Sequence, residues 1–180
     1  MLTPIIAAML LQTAPTVRTI PSSPKLGTEN ARCRQNETDA RVIIKVKGLK
    51  DKAGSVKLEL YPYSDADFLQ DDNKLVAAGK TFKRIVKRVP KKGDMTFCVR
   101  APKEGTYSMM LLHDRNNDRK FNVISDGVGL PTNPTLGLEK PKVVHGRVVA
   151  SKAGTKKTIV MQYLRGFGFK PIKGRGGRRR

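Results

Sequence analysis

From Arg41 onward the chain is cut into short runs of alternating apolar and polar residues, each soon closed by Gly, Pro, Asn or Asp. That rhythm is a poor match to long helices, which need an apolar stripe sustained at a 3.6-residue period, and it favours many short strands. Arg41 to Lys47 (RVIIKVK) reads as a first strand ending at Gly48. Ser55 to Tyr61 sets Val56, Leu58 and Leu60 on one face and Lys57 and Glu59 on the other, as in a half-buried antiparallel strand. The short turn Lys50 to Gly54 between them predicts a hairpin.

Further strands are expected over Lys80 to Val89, Met95 to Arg100, Thr106 to His113, Val143 to Ala150 and Thr158 to Leu164. Thr106 to His113 (TYSMMLLH) is the most apolar and is expected at the centre of a sheet. Ser64 to Lys74 is acidic and is expected to hold one helical turn around Phe68 and Leu69. About seven strands joined by turns predict an all-β antiparallel sandwich, immunoglobulin-like or transthyretin-like, over residues 41–164. The 180 residues suit one such domain.

The flanks read differently. Ile5 to Leu11 is a short apolar run followed by Gln12-Thr13-Ala14, so residues 1–14 are a candidate signal peptide, although no Lys or Arg precedes the run. The run is too short to span a bilayer, so no stable membrane anchor is expected. Residues 15–40 lack periodicity and read as a disordered linker, a flexible N-terminal arm. Residues 165–180 form a basic Gly/Arg-rich tail containing Arg165, Lys170, Lys173, Arg175, Arg178, Arg179 and Arg180 and no acid. The net charge is +21, of which residues 41–164 alone carry +13, so the folded body is basic in its own right. Such a field attracts anionic partners without choosing among them. The two cysteines, Cys33 and Cys98, match no metal motif. In an oxidising compartment they can pair across a long loop; otherwise they are two free thiols.

After His113 the spacing of Asp114, Asn116 and Asp118 places an oxygen at every second residue, like the first half of a calcium loop. Arg119 stands where such a loop has its glycine, Ser125 where it has its bidentate Glu, and Arg115 and Lys120 add positive charge. The favoured reading is therefore a loop held by Asp and Asn side chains bonding to backbone N–H groups. His113 beside Asp114 is expected to cap its strand and bond into the loop, and His145 to be exposed on a strand. G-x-S-x-G, H-E-x-x-H and phosphate-binding glycine loops are missing from the sequence, so catalysis is not expected, and no cofactor is expected beyond weak calcium.

Several pieces carry a family resemblance: Val46-Lys47-Gly48-Leu49, Gly54-Ser55-Val56, Leu60-Tyr61, Phe68, Gly105-Thr106-Tyr107, His113-Asp114-Arg115-Asn116-Asn117-Asp118 and Gly129-Leu130-Pro131. In order and spacing the chain resembles the bacterial family catalogued as domain of unknown function 2141, over roughly residues 41–164. The resemblance implies an exported β-sandwich domain of the bacterial envelope, periplasmic or secreted, with no assigned activity. The expectation is a non-catalytic binding or structural domain whose basic surface, with the tail as an anion-binding segment, meets anionic envelope polymers or lipid head groups. The alternative is an intracellular protein associated with nucleic acid through the same charge and the tail's Arg, Gly and Phe residues.

Overall fold

The computed structural model describes residues 20–172, and among these ten strands form two facing sheets. The small sheet has the order β4 (Met95–Arg100), β1 (Arg41–Lys47), β8 (Thr155–Val160). The large sheet runs β10 (Phe169–Pro171), β9 (Gln162–Leu164), β6 (Gly127–Gly129), β5 (Gly105–Asp114), β2 (Ser55–Pro62), β3 (Lys83–Arg88). β7 (Arg147–Ala150) pairs with the first half of β5, and β6 with its second half. Every pairing is antiparallel except β1 with β8, which is parallel. β5 is central, as its apolar sequence predicts.

The expected hairpin of the first two strands does not form. β1 pairs with β4 and β8, and β2 pairs with β3 and β5, so residues 48–54 cross from one sheet to the other. Val42, Ile44 and Val46 on β1 and Val56, Leu58 and Leu60 on β2 all enter one core, facing each other rather than lying side by side. Gly48 and Gly54, with φ of 70° and 68°, supply the left-handed turns at the two ends of the crossing. A Cβ at Gly54 would run into the Asp114 carbonyl.

Between the sheets, Ile44, Leu58, Leu60, Phe97, Met109, Leu111 and Ile159 are buried, and each such side chain removed from water contributes about 1.5–3 kcal/mol. A second core lies on the outer face of the large sheet. There Tyr61, Leu112 and Val128 are covered by Phe68 and Leu75, from the segment carrying helix α1 (Asp72–Ala77), and by Leu130, Leu136 and Phe169. β2 and β5 are therefore buried on both faces, not half-buried. Helix α1 lies C-terminal to the turn expected around Phe68, which is itself non-helical. Val143–Gly146 is a 3-10 turn rather than strand, and the stretch from Thr158 to Leu164 divides at buried Met161, where the chain changes sheets.

Residues 20–40 are not a disordered linker. They lack periodicity because they form a strap rather than a regular strand, and backbone bonds fix that strap to the sheet edges. The carbonyls of Gly27 and Ala31 accept the Arg84 and Arg100 N–H groups, and the Ala40 carbonyl accepts that of Ala101. Ala31 is buried in the central core, and Arg100 pairs with Glu37 and Asp39. Cys33 and Cys98 form a disulfide with Cα atoms 5.5 Å apart, closing the strap onto β4. At the other end the domain extends past residue 164, because β10 pairs with β9. Residues 1–19, which include the whole of the candidate signal peptide and its flank, and residues 173–180 lie outside the described residues.

The cross-link spans 65 residues, a loop long enough for about 4 kcal/mol of stabilisation through the unfolded chain. Cys33→Ser, or reduction of the wild type, is expected to lower the thermal midpoint by roughly 8–16 °C. Scanning calorimetry with and without reductant checks this, and unchanged midpoints would contradict it.

Candidate functional site

The loop from Arg115 to Asp126 begins where β5 ends and the chain must turn back into β6. Asn117 and Arg119 take left-handed conformations, with φ of 59° and 66°. Asp114 Oδ2 accepts the Arg119 N–H at 2.9 Å, Asn116 Oδ1 accepts that of Asp118, and Asp118 Oδ1 accepts that of Lys120 at 2.8 Å. Asn116 Nδ2 donates to Asp118 Oδ2 at 2.7 Å, so the Asn presents an N–H to the carboxylate. The Lys120 amide, and then Asn116, hold Asp118 below the ordinary carboxylate range. Among the described residues there is no group of three or more His, Cys, Asp or Glu side chains placed to hold a metal ion. The three residues singled out in the sequence share a loop, but their oxygens are directed mainly at backbone amides.

The residue that organises this loop is Asp126. It is fully buried, and its carboxylate accepts the Arg115 and Asn122 N–H groups and the Ser125 hydroxyl. Its only signal in the sequence is its position immediately before the Gly-Val-Gly of β6. Arg115, the other anchor, reaches back to Asp51 and the Ser125 carbonyl.

His113 points into the interior, whereas Asp114, the next residue, lies on the opposite face of β5. The imidazole is completely buried. Nε2 lies 2.9 Å from the Ala53 carbonyl and Nδ1 2.6 Å from the Tyr163 hydroxyl. A carbonyl only accepts, so Nε2 carries the proton, Nδ1 accepts the Tyr163 O–H, and the Tyr163 oxygen accepts the Lys50 N–H at 2.9 Å. This chain of bonds ties the crossing of residues 48–54 to β5 and β9. Burial holds the His113 pKa below the usual imidazole value and pushes Tyr163 up to about 12. His113 thus bonds into a loop, as expected, but into the loop before β2 rather than the one after β5. His145 lies in the 3-10 turn rather than on a strand, where its carbonyl accepts the Thr132 hydroxyl.

A cleft of about 520 Å³ opens elsewhere, on the outer face of the large sheet between the strap, α1 and the Arg119 loop. Its floor is a charge network set by strand register, because Glu59 of β2 lies opposite Arg84 of β3. The Arg84 guanidinium donates to Glu59 at 2.8 Å, to Asp72 at 2.9 Å and to the Ser23 carbonyl at 3.0 Å. Tyr61 donates to Glu59 at 2.7 Å, and Lys57 lies 3.1 Å from the same carboxylate. Burial, then the Glu59 charge, pushes the Tyr61 phenol well above its usual pKa. Alternation alone assigns Lys57 and Glu59 to solvent; the covering helix and strap, which sequence periodicity does not reveal, enclose them. A narrower hollow of about 360 Å³ adjoins the cleft and is lined by Ser55, Leu112, Asp114 and Arg119 among others. In the tail, Arg165 lies in the turn after β9 and Lys170 on β10, both exposed. Lys173, Arg175, Arg178, Arg179 and Arg180 fall outside the described residues.

As pH falls, the unfolded chain takes up the His113 proton first, because the folded pKa is depressed below 6.5. Stability present above the ordinary imidazole value is then lost as pH drops towards the lowered one. The wild-type thermal midpoint should fall between about pH 7 and about pH 5 more steeply than that of His113→Gln, and equal slopes would contradict this. Tyr163→Phe should cost about 1–3 kcal/mol in a denaturant titration, since it leaves Nδ1 and the Lys50 N–H unpaired. Thermal midpoints in calcium and in chelator should coincide, because backbone amides hold the Asp114 to Asp118 loop.

A family model described as an uncharacterized protein conserved in bacteria (DUF2141) matches residues 44–158, which run from β1 to β8 and include the buried His113 and the Asp126 loop. No curated protein and no solved structure matches the chain. The match covers more than half of the 180 residues, and the chain belongs to the bacterial DUF2141 family.

Proposed function

We propose that this protein is an exported, non-catalytic binding or structural domain of the bacterial envelope whose basic surface meets anionic polymers or lipid head groups. The observation that carries the reading is that most of the acids are engaged within the chain while cations outnumber them and remain free at the surface. Lys and Arg number 36 against 15 Asp and Glu. Eight of the 15 acids, namely Glu37, Asp39, Asp51, Glu59, Asp67, Asp71, Asp72 and Asp94, are engaged in ion pairs. Asp114, Asp118, Asp126 and Glu104 accept backbone N–H groups. The carboxylates thus work mainly within the fold, while lysines such as Lys91, Lys92, Lys156 and Lys157 face solvent. Such a surface concentrates polyanions.

The Cys33–Cys98 disulfide supports an oxidising compartment. No helix among the described residues is long and apolar enough to cross a membrane. The non-catalytic reading is supported by His113, whose two ring nitrogens are both committed to internal bonds.

Cell fractionation with N-terminal sequencing tests the reading. The expected result is a periplasmic or secreted form whose mature N-terminus lies near Pro15. Full-length protein in the cytosol with residues 1–14 attached would overturn it in favour of a nucleic-acid-associated role. The purified protein should also bind dextran sulfate with an affinity that falls steeply with salt. Removal of residues 173–180 should weaken that binding without abolishing it, because most of the positive charge lies on the folded body.

A further inference from the structure

The edge of the large sheet at β10 gathers apolar side chains that point into water. Phe167, at the turn between β9 and β10, is 99% exposed, Leu138 62% and Phe121 50%. They come from three separate segments and meet around one strand. The Phe121 ring stacks on Phe169 of β10 with centroids 6.4 Å apart. The Phe169 N–H donates to the Leu136 carbonyl, which brings the segment of Leu138 alongside. Leu138 and Phe167 line the same shallow hollow. Ile124, further along the Phe121 loop, is 75% exposed.

Cations are interleaved with these tips. Lys120 precedes Phe121, Lys140 and Lys142 follow Leu138, and Arg165 and Lys170 bracket Phe167; all five are exposed. Two exposed acids, Asp118 and Glu139, lie in the same segments. In the sequence, β10 is followed by Lys173, Arg175, Arg178, Arg179 and Arg180 with no acid, all outside the described residues.

We infer that the β10 edge is a docking surface for an anionic phospholipid membrane, with the apolar tips in the interfacial layer and the cations at the lipid phosphates. The inference rests on the anion-binding reading above and narrows it to one partner. Single exposed apolar residues are ordinary on protein surfaces, and lysines alone bind any polyanion. A membrane surface offers both an apolar layer and negative charge within a few ångströms of depth, and this edge presents the matching pair. A polysaccharide or nucleic-acid backbone supplies the charge but no apolar layer deep enough for Phe167 and Leu138 together.

The test is co-sedimentation of the full chain with phosphatidylglycerol–phosphatidylcholine vesicles, with phosphatidylcholine vesicles and dextran sulfate as separate arms. The protein should bind the anionic vesicles and leave phosphatidylcholine largely unbound. Phe167→Ser combined with Leu138→Ser should weaken vesicle partitioning by about tenfold or more while leaving dextran sulfate binding unchanged. Both side chains are exposed, so the variant's thermal midpoint should match the wild type and rule out misfolding. Equal partitioning of variant and wild type overturns the inference. So does a wild-type dimer that the double variant dissolves in the absence of vesicle binding, which would make the edge a self-association surface. Binding to dextran sulfate without binding to vesicles sinks the membrane inference alone, and failure to bind either sinks the anion-binding reading with it.

Discussion

Strands β2 and β5 are buried on both faces, and much of the rest of the architecture follows from that. A sheet whose second face is also apolar needs a second covering layer, or Tyr61, Leu112 and Val128 would be left in water. The chain supplies it with the Phe68 turn, α1, the segment from Leu130 to Leu136, and β10. Where that cover passes over Glu59 and Arg84 it encloses charge, which is tolerable only because Asp72, Tyr61 and the Ser23 carbonyl complete the hydrogen bonding. The cleft opens where the strap, the helix and the Arg119 loop fail to meet over this network. The exposed tips at β10 belong to the same cover, at the edge where it has nothing further to pack against.

Negative charge is used structurally throughout. Asp126 folds the loop after β5, Asp51 pulls Arg115 onto the sheet crossing, and Glu37 and Asp39 fasten the strap through Arg100. Lysine does the opposite work at the borders. Lys156 and Lys157 project from β8, one of the two edge strands of the small sheet, and charged side chains on such an edge discourage pairing with another chain.

Residues with strict alternation were legible in the sequence. β4 and β5 appear within a residue of their expected bounds: Met95, Phe97 and Val99 alternate onto one buried face of β4, and the apolar run of β5 is buried on both faces. Partnership was not legible. Alternation states that β1 and β2 each have an inward face but not that those faces oppose each other across the core. β6 is three residues long with two glycines, below the length at which a period can be read. The strap is held by backbone bonds, by the ion pairs of Glu37 and Asp39 with Arg100 and by the disulfide; the two cysteines could be read as able to pair, but none of these contacts leaves a periodic pattern. Of the site, the backbone-bonding role of Asp114, Asn116 and Asp118 could be read from local spacing. Tyr163 as the partner of His113, and Arg84 as the partner of Glu59, depend on distant strand register and could not.

The parallel pairing of β1 with β8 also sets an order of assembly. Val42 lies beside Thr155 and Lys47 beside Val160, so the first strand of the domain waits for one of the last before the small sheet is complete. Until then β4 is the one strand bonded to β1, and the other side of β1 carries unpaired N–H and C=O groups next to Ile43 and Ile44. Contacts this far apart in sequence form late, because a long loop must close before they repay its entropy. A chain emerging N-terminus first therefore carries an adhesive strand from the start and the means of covering it almost at the finish, which makes the interval between them the period when it most needs to be kept from its neighbours.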